Sequence, residues 1–586
     1  MAKLSGRTRK YRDDKPRAVM RAQAGGLSDA SARASEGGVT RGLSPLVLTR
    51  AWMDWAVHLA ASPGKQMQLL QQAMENAQAV FAAGLGETLS GADGAADPRF
   101  DSAEWQKFPF NLLAQAHQRQ RQWWLDAMTG VRGVEPAHEN LMAFVTGLLS
   151  DAVAPSNFPA INPDVISASL SENGLNLVRG SRNFAKDMAT LSGLVPAVSQ
   201  PFEVGRNLAT TAGKVVFRNK LMELIQYAPT TDTVCPEPIL IVPAWILKYY
   251  VLDLSPHNSF VRFLVDQGFT VFMISWKNPL PEDRDIGMED YRQLGVMAAI
   301  NAAIKITGAP RLHTLGYCLG GTLLSIAAAA MGRDGDDRLA SVSLLATQVD
   351  FSEPGPLRLL INEAEVAMVE EMMERQGYLS SDSMAGAFAL LRARDLLWTR
   401  AINNYLLGRQ DDGLDLMAWH ADATRLPARM HSQYLRQLFL NNDLAQGRYL
   451  VKGKPVGFGA IRAPIFAVGT EEDDVAPWTS VYKLHLFTRS EVTFVLTNGG
   501  HNTGIISAPG QPEQHFRMGR GSADSGYREP EEWLAEHEAE DGSWWVAFAR
   551  WLGEHSGEAV SPPQMGARSG ACKAICDAPG TYVMQR

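Results

Sequence analysis

Cys318 lies in the run Gly316-Tyr317-Cys318-Leu319-Gly320-Gly321. A short apolar run from Leu312 precedes it, and a helical run over 323–331 follows. The pattern reads as strand, sharp turn, helix: the nucleophile elbow G-x-S-x-G with cysteine in place of serine. Glycines two residues before and after the sulfur suit a turn so tight that a side chain would strike the neighbouring strand or helix. The helix start offers backbone N–H groups and a positive dipole end, which favour thiolate over thiol. Alone the motif is weak, and a structural cysteine beside a glycine-rich turn explains it equally well. Two later loops add to it. One is acidic, Glu471-Glu472-Asp473-Asp474, and one carries a glycine-flanked histidine, Gly499-Gly500-His501-Asn502. Singly, each is an ordinary surface loop. Together, in the order nucleophile, acid, histidine, they suit acyl transfer through a thiol. The tetrahedral oxyanion then needs two N–H donors. The elbow supplies Leu319, and the loop after the strand ending at Val242 supplies Trp245 or Ile246.

These groups need a scaffold that ends strands at one edge. Buried strands are expected at 238–243, 270–276, 312–317, 342–346, 465–468 and 492–496, because their apolar runs lack the alternation of a half-exposed sheet. Helical patterns at 259–267 and 288–306 separate the early strands. The expected fold is α/β: an α/β-hydrolase fold with a mostly parallel sheet covered on both faces. Residues 351–450 interrupt it with a helical, Met- and aromatic-rich insertion, a natural cap over the site. Before the sheet, residues 44–200 read as a helical N-terminal domain, and residues 1–43 as a disordered basic tail. The catalytic domain is expected over 201–557, with a C-terminal tail over 558–586.

A chain of 586 residues at ~150 per domain holds two to four domains. Its 46% apolar and 20% charged content is ordinary for a globular protein. The net charge of -8 gives no reason to expect nucleic acid as a partner. Four scattered cysteines (235, 318, 572, 576) do not make a disulfide framework and read as reduced thiols. No apolar run reaches membrane-spanning length, the basic N-terminus is not followed by a secretory apolar stretch, and no cofactor or metal motif stands out.

Several segments carry a resemblance: Ser156-Asn157-Phe158, Phe202-Glu203-Val204-Gly205-Arg206-Asn207, Lys248 to Leu254, Val271 to Pro279, Gly316 to Thr322, Asn403-Asn404-Tyr405-Leu406, Trp419, Pro477-Trp478 and Trp544-Trp545. From about 151 to 557 the chain closely resembles the polyhydroxyalkanoate synthases, in particular the single-subunit class I type. The resemblance implies a substrate of (3R)-hydroxyacyl-CoA, with 3-hydroxybutyryl-CoA expected, and a growing polyester chain. It implies Cys318 as acyl carrier, with His501 and Asp473 completing its triad; His501 is the preferred base for the chain hydroxyl and Asp473 the rival. It implies coenzyme A as part of the substrate rather than a cofactor, a homodimer, and a cytoplasmic protein at the surface of polyester granules. The chain departs from the family pattern at Asp474, Asn502, His420, Ala421 and Arg425. A cysteine thioesterase or polyester hydrolase of the same fold, and a non-catalytic granule protein, are the alternatives.

Overall fold

The computed structural model describes residues 45–84, 97–191, 202–384, 386, 394–409, 415–522 and 526–586. The tail expected over 1–43 lies outside the described residues. Six strands come first: β1 (Gly213–Arg218), β2 (Met222–Tyr227), β3 (Ile239–Val242), β4 (Val271–Trp276), β5 (Leu312–Tyr317) and β6 (Leu339–Leu345). Two small antiparallel pairs follow, β7 (Tyr378–Leu379) with β8 (Leu426–Pro427) and β9 (Tyr449–Val451) with β10 (Lys454–Val456). The sheet resumes with β11 (Ile465–Thr470), β12 (Val492–Thr497), β13 (His515–Gly521), β14 (Glu540–Asp541) and β15 (Cys576–Asp577).

One sheet of eleven strands runs β14-β13-β12-β11-β6-β5-β3-β4-β2-β1-β15. Its middle, β4-β3-β5-β6-β11-β12, is parallel. Every residue of those six strands is buried, which is why their sequences are apolar runs rather than alternating ones. One apolar cluster fills each face of the sheet. From β3 the chain steps to β4 on one side and then to β5 on the other. The C-terminal ends of β3 and β5 therefore flank a topological switch point, the place where such sheets bind ligands. This is the expected α/β-hydrolase architecture.

Three features differ from the expectation. The antiparallel pair β1–β2 precedes the expected first strand, and β13 extends the far edge. The 288–306 helix spans Met288 to Thr307 but widens into π-helix over Tyr291–Met297, where Gly295 lies flat against the Trp276 ring. Residues 558–586 are not a free tail. β15 pairs with β1, Val583 and Cys572 are buried, and the Gln585 carbonyl accepts from Lys248 Nζ at 2.6 Å.

Ahead of the sheet lie the helices Pro45–Ala60, Pro63–Gly84, Phe110–Met128, Pro136–Ala152, Pro163–Ser171 and Leu175–Leu191. Arg99 ties them by bridging Asp97 at 2.6 Å and Asp151 at 2.8 Å, with all three side chains buried. The last of these helices packs on the cap. Asn176 Nδ2 donates to the Leu406 carbonyl at 2.9 Å, Tyr405 Oη donates to Asp187 Oδ2 at 2.8 Å, and Gly180 faces the Tyr405 carbonyl at a distance no side chain would allow.

Candidate active site

β5 ends at Tyr317, and the helix Leu319–Asp334 begins one residue later. Cys318 makes the whole turn, with φ 53° and ψ -126°. Positive φ is rare for a residue with a Cβ, and it persists here because the surroundings hold it. The Cys318 N–H donates to the Leu345 carbonyl of β6 at 2.9 Å, and its carbonyl accepts the Gly321 N–H at 2.9 Å and Thr347 Oγ1 at 3.2 Å. The glycines are required by close approach. A Cβ on Gly316 would lie 2.3 Å from Gly321 Cα, and one on Gly320 would lie 2.1 Å from the Val242 carbonyl oxygen. That second approach presses the loop after β3 against the elbow, so the loop carrying Trp245 and Ile246 is pinned beside Cys318 and Leu319. Trp276 Nε1–H fixes the same loop by donating to the Pro243 carbonyl at 3.0 Å.

β11 leads into the acidic loop and β12 into the histidine loop, as expected. His501 Nδ1 lies 2.8 Å from Asp473 Oδ2. The carboxylate is an acceptor only, so Nδ1 carries the proton. Asp473 is held on both oxygens: Oδ1 accepts the Val475 and Ala476 N–H groups at 2.8 and 2.7 Å, and Oδ2 also accepts Thr470 Oγ1 at 2.9 Å. Asp474, its neighbour, is exposed. Adjacent loop residues point apart, and the structure brings Asp473 to the imidazole.

Burial raises the Asp473 pKa, but the charge and hydrogen bond of His501 and the two backbone N–H groups outweigh it and hold the carboxyl below the usual range. His501 is pushed up to about 10: burial disfavours its charge, and Asp473 and then Cys318 more than compensate. Two tyrosines border the sulfur. Burial, then the neighbouring Cys318 charge, push the phenols of Tyr317 and Tyr434 well above their ordinary range.

The cap closes on this centre from the β3 side. Trp419 Nε1–H donates to the Lys248 carbonyl at 2.7 Å, Thr424 Oγ1 to the Trp245 carbonyl at 2.9 Å, and Tyr250 Oη to Asp422 Oδ2 at 2.9 Å. Trp245 meets Tyr434 edge to face, with centroids 5.9 Å apart. Thr424 escaped the sequence reading. Tyr317 and Tyr434 were visible there only as the residue adjoining the elbow cysteine and as one of the cap's aromatics, without a place at the site. All four cysteines are unpaired. Among the described residues no group of three or more His, Cys, Asp or Glu side chains could hold a metal ion, and no helix is long and apolar enough to cross a membrane.

A cysteine at a strand-to-helix elbow, with a histidine–aspartate pair on two later strand ends, defines an α/β-hydrolase-fold protein equipped for acyl transfer. Family models agree with that class and narrow it. The α/β hydrolase fold model matches residues 237–507, the poly-beta-hydroxybutyrate polymerase (PhaC) N-terminus 96–264, and the poly-beta-hydroxybutyrate polymerase N terminal model 25–65. The chain is 38% identical to the poly(3-hydroxyalkanoate) polymerase of Methylorubrum extorquens, over 84% of this chain and 81% of that one. It is 37% identical to the polymerase subunit PhaC of Rhizobium etli, over 84% and 77%, and 36% identical to that of Cupriavidus necator, over 74% of each. The chain belongs to the poly(3-hydroxyalkanoate) polymerase family, whose members are acyltransferase-type enzymes.

Proposed function

We propose that this chain is a polyhydroxyalkanoate synthase of the single-subunit class I type. It joins (3R)-hydroxyacyl units, with 3-hydroxybutyryl-CoA as the expected donor, into polyester and releases coenzyme A. The carrying observation is the convergence of Cys318, His501 and Asp473 at the switch point of the sheet, in a chain of this family. Cys318 gives its S–H proton to His501, and Sγ attacks the thioester carbonyl. The oxyanion is held by the N–H of Leu319 and one from Trp245 or Ile246, and CoA leaves as its thiol with the proton from His501. The acyl group stays on Cys318 as a thioester, close in energy to the one consumed. His501 then takes the proton of the chain-terminal hydroxyl, whose oxygen attacks the acyl-Cys318 thioester; the ester C–O bond forms as the C–S bond breaks, His501 returns the proton to the Cys318 sulfur, and the chain lengthens by one unit.

His501, rather than Asp473, suits the role of base, because both Asp473 oxygens already accept two donors each. Water would turn the same intermediate into a hydrolysis product. The cap, tied to the β3 loop, is the element that excludes it. The same reading takes the protein as a homodimer at a cytoplasmic granule surface, with coenzyme A as substrate moiety and no separate cofactor.

The test is CoA release measured alongside polymer formation, with short- and medium-chain (3R)-hydroxyacyl-CoA. Cys318→Ala should abolish both and prevent acyl-enzyme formation in a folded protein, since loss of a nucleophile costs about three orders of magnitude or more. Activity above about a tenth of wild type would reject the nucleophile. CoA release with no polymer would favour a thioesterase.

A further inference from the structure

We infer that Asn502 is a positioning residue, joining the histidine loop to the nucleophile strand through Tyr317 and to the cap through His420. The inference rests on the proposed reading of Cys318, His501 and Asp473 as the reacting groups.

Tyr317 is the last residue of β5, so the strand sets where its ring lies. Its hydroxyl donates to Asn502 Oδ1 and lies 3.4 Å from the His501 carbonyl oxygen. Its ring sits beside the imidazole, with centroids 5.6 Å apart and planes 32° from parallel. The phenol, pushed up by burial and by Cys318 and Asp473, stays a donor through the neutral range. With Oδ1 committed to Tyr317, Asn502 Nδ2–H turns to His420 Nε2, 3.2 Å away. That ring nitrogen is then an acceptor.

His420 is the second-to-last residue of the short cap helix Asp415–Ala421, next to Trp419, which is bonded to the loop after β3. The Asn502 carbonyl accepts from the Ile505 and Ile506 N–H groups at 3.1 and 2.8 Å, so its backbone is held as well. Three elements that carry or cover the reacting atoms meet on one amide. An aliphatic side chain at 502 would release the Tyr317 hydroxyl to the long His501 carbonyl contact alone, and would cut the tie to the cap. The imidazole must keep its place between Asp473 and Cys318 while acyl groups pass. Holding the residue beside it, and the ring packed against it, does that.

The experiment uses the full chain and two readouts: the pH profile of Cys318 alkylation by iodoacetamide, resolved by peptide mass, and kcat and KM for CoA release from 3-hydroxybutyryl-CoA. Wild type is first compared with His501→Gln. Identical alkylation profiles for those two would reject the reading of the site itself. Given a difference, Asn502→Leu should lower kcat about tenfold with KM little changed, as expected for a misplaced reacting group. It should also shift the alkylation profile toward that of His501→Gln. Tyr317→Phe should act in the same direction, and the double variant should be no worse than the poorer single one, because both cut the same link. Should Asn502→Leu lose its cooperative melting transition, Tyr317→Phe, which removes one oxygen, carries the test. His420→Ala severs only the cap arm and should change KM while leaving the alkylation profile at wild type. Wild-type profiles and kcat in both Asn502→Leu and Tyr317→Phe, or losses that multiply in the double variant, would overturn the inference.

Discussion

The two adjacent aspartates of the β11 loop divide sharply in environment. Asp473 is buried and fully bonded, whereas Asp474 is exposed beside it. Asp473→Asn should keep the fold and lower chain elongation by about a thousandfold or more, because an amide N–H in place of Oδ2 would donate to His501 Nδ1 instead of accepting its proton, which favours the wrong tautomer. Asp474→Asn should change elongation little; steady-state CoA release decides, and the reverse ranking would reassign the acid. The pair also sets a stability profile. His501 has a folded pKa near 10 against an ordinary 6.5, so its stabilising contribution is full below 6.5 and is lost as pH rises toward 10. Asp473 is depressed from 3.8, so its contribution is present above that value and lost as pH falls through its lowered folded pKa. The melting-temperature gap between wild type and His501→Gln should therefore be widest between about pH 4 and 6.5 and close toward pH 10. A gap that widens with rising pH would contradict the pairing. Cys318, His501 and the acidic loop were legible in the sequence because each follows a buried strand. The resemblance then singled out Asp473. The Asn502–His420 contact was not legible, since its partners lie 82 residues apart and meet only once the cap folds back.

At the scale of elements, legibility followed burial on both faces. The six central strands read as apolar runs and were found. β2 did not, because Glu223 and Gln226 sit fully buried within it and break the apolar pattern. Their partners come from the far end of the chain: Gln226 Nε2 donates to the Gln564 carbonyl at 3.0 Å, and Thr581 and Tyr582 N–H groups donate to Glu223 Oε2 at 2.9 Å each. The same long-range bonds hide the order of 558–586, which is docked by polar groups rather than by an apolar stripe. The cap was visible as an interruption of the α/β alternation, though its short strand pair β7–β8 was not. The cap is an insertion between β6 and β11, which suits an element that opens for substrate. Hydrogen exchange of the free protein and of a complex with a non-hydrolysable acyl-CoA analogue should differ over the described cap segments within 351–450, while β3, β5 and β6 stay unchanged. Equal protection of the cap in both states would argue against opening.

Over the whole molecule, Glu223 links the sheet to the chain's final segment. It also pairs with Arg218, whose Nε lies 2.7 Å from Oε1. Glu223→Ala would strand several donors and should cost about 3 kcal/mol of stability by chemical denaturation, with early proteolytic release of residues 558–586. A loss under about 1 kcal/mol would mean that segment docks independently of Glu223. The segment also bears on how copies of the protein behave when crowded. The sheet ends in two-residue strands at both edges, β14 and β15, and Glu540, Asp541 and Asp577 there are exposed. Short, acidic borders leave little unpaired backbone for a neighbour's strand to extend, and like charges repel it. Molecules packed at high density would thus stay separate folded units instead of zipping sheet to sheet into fibres.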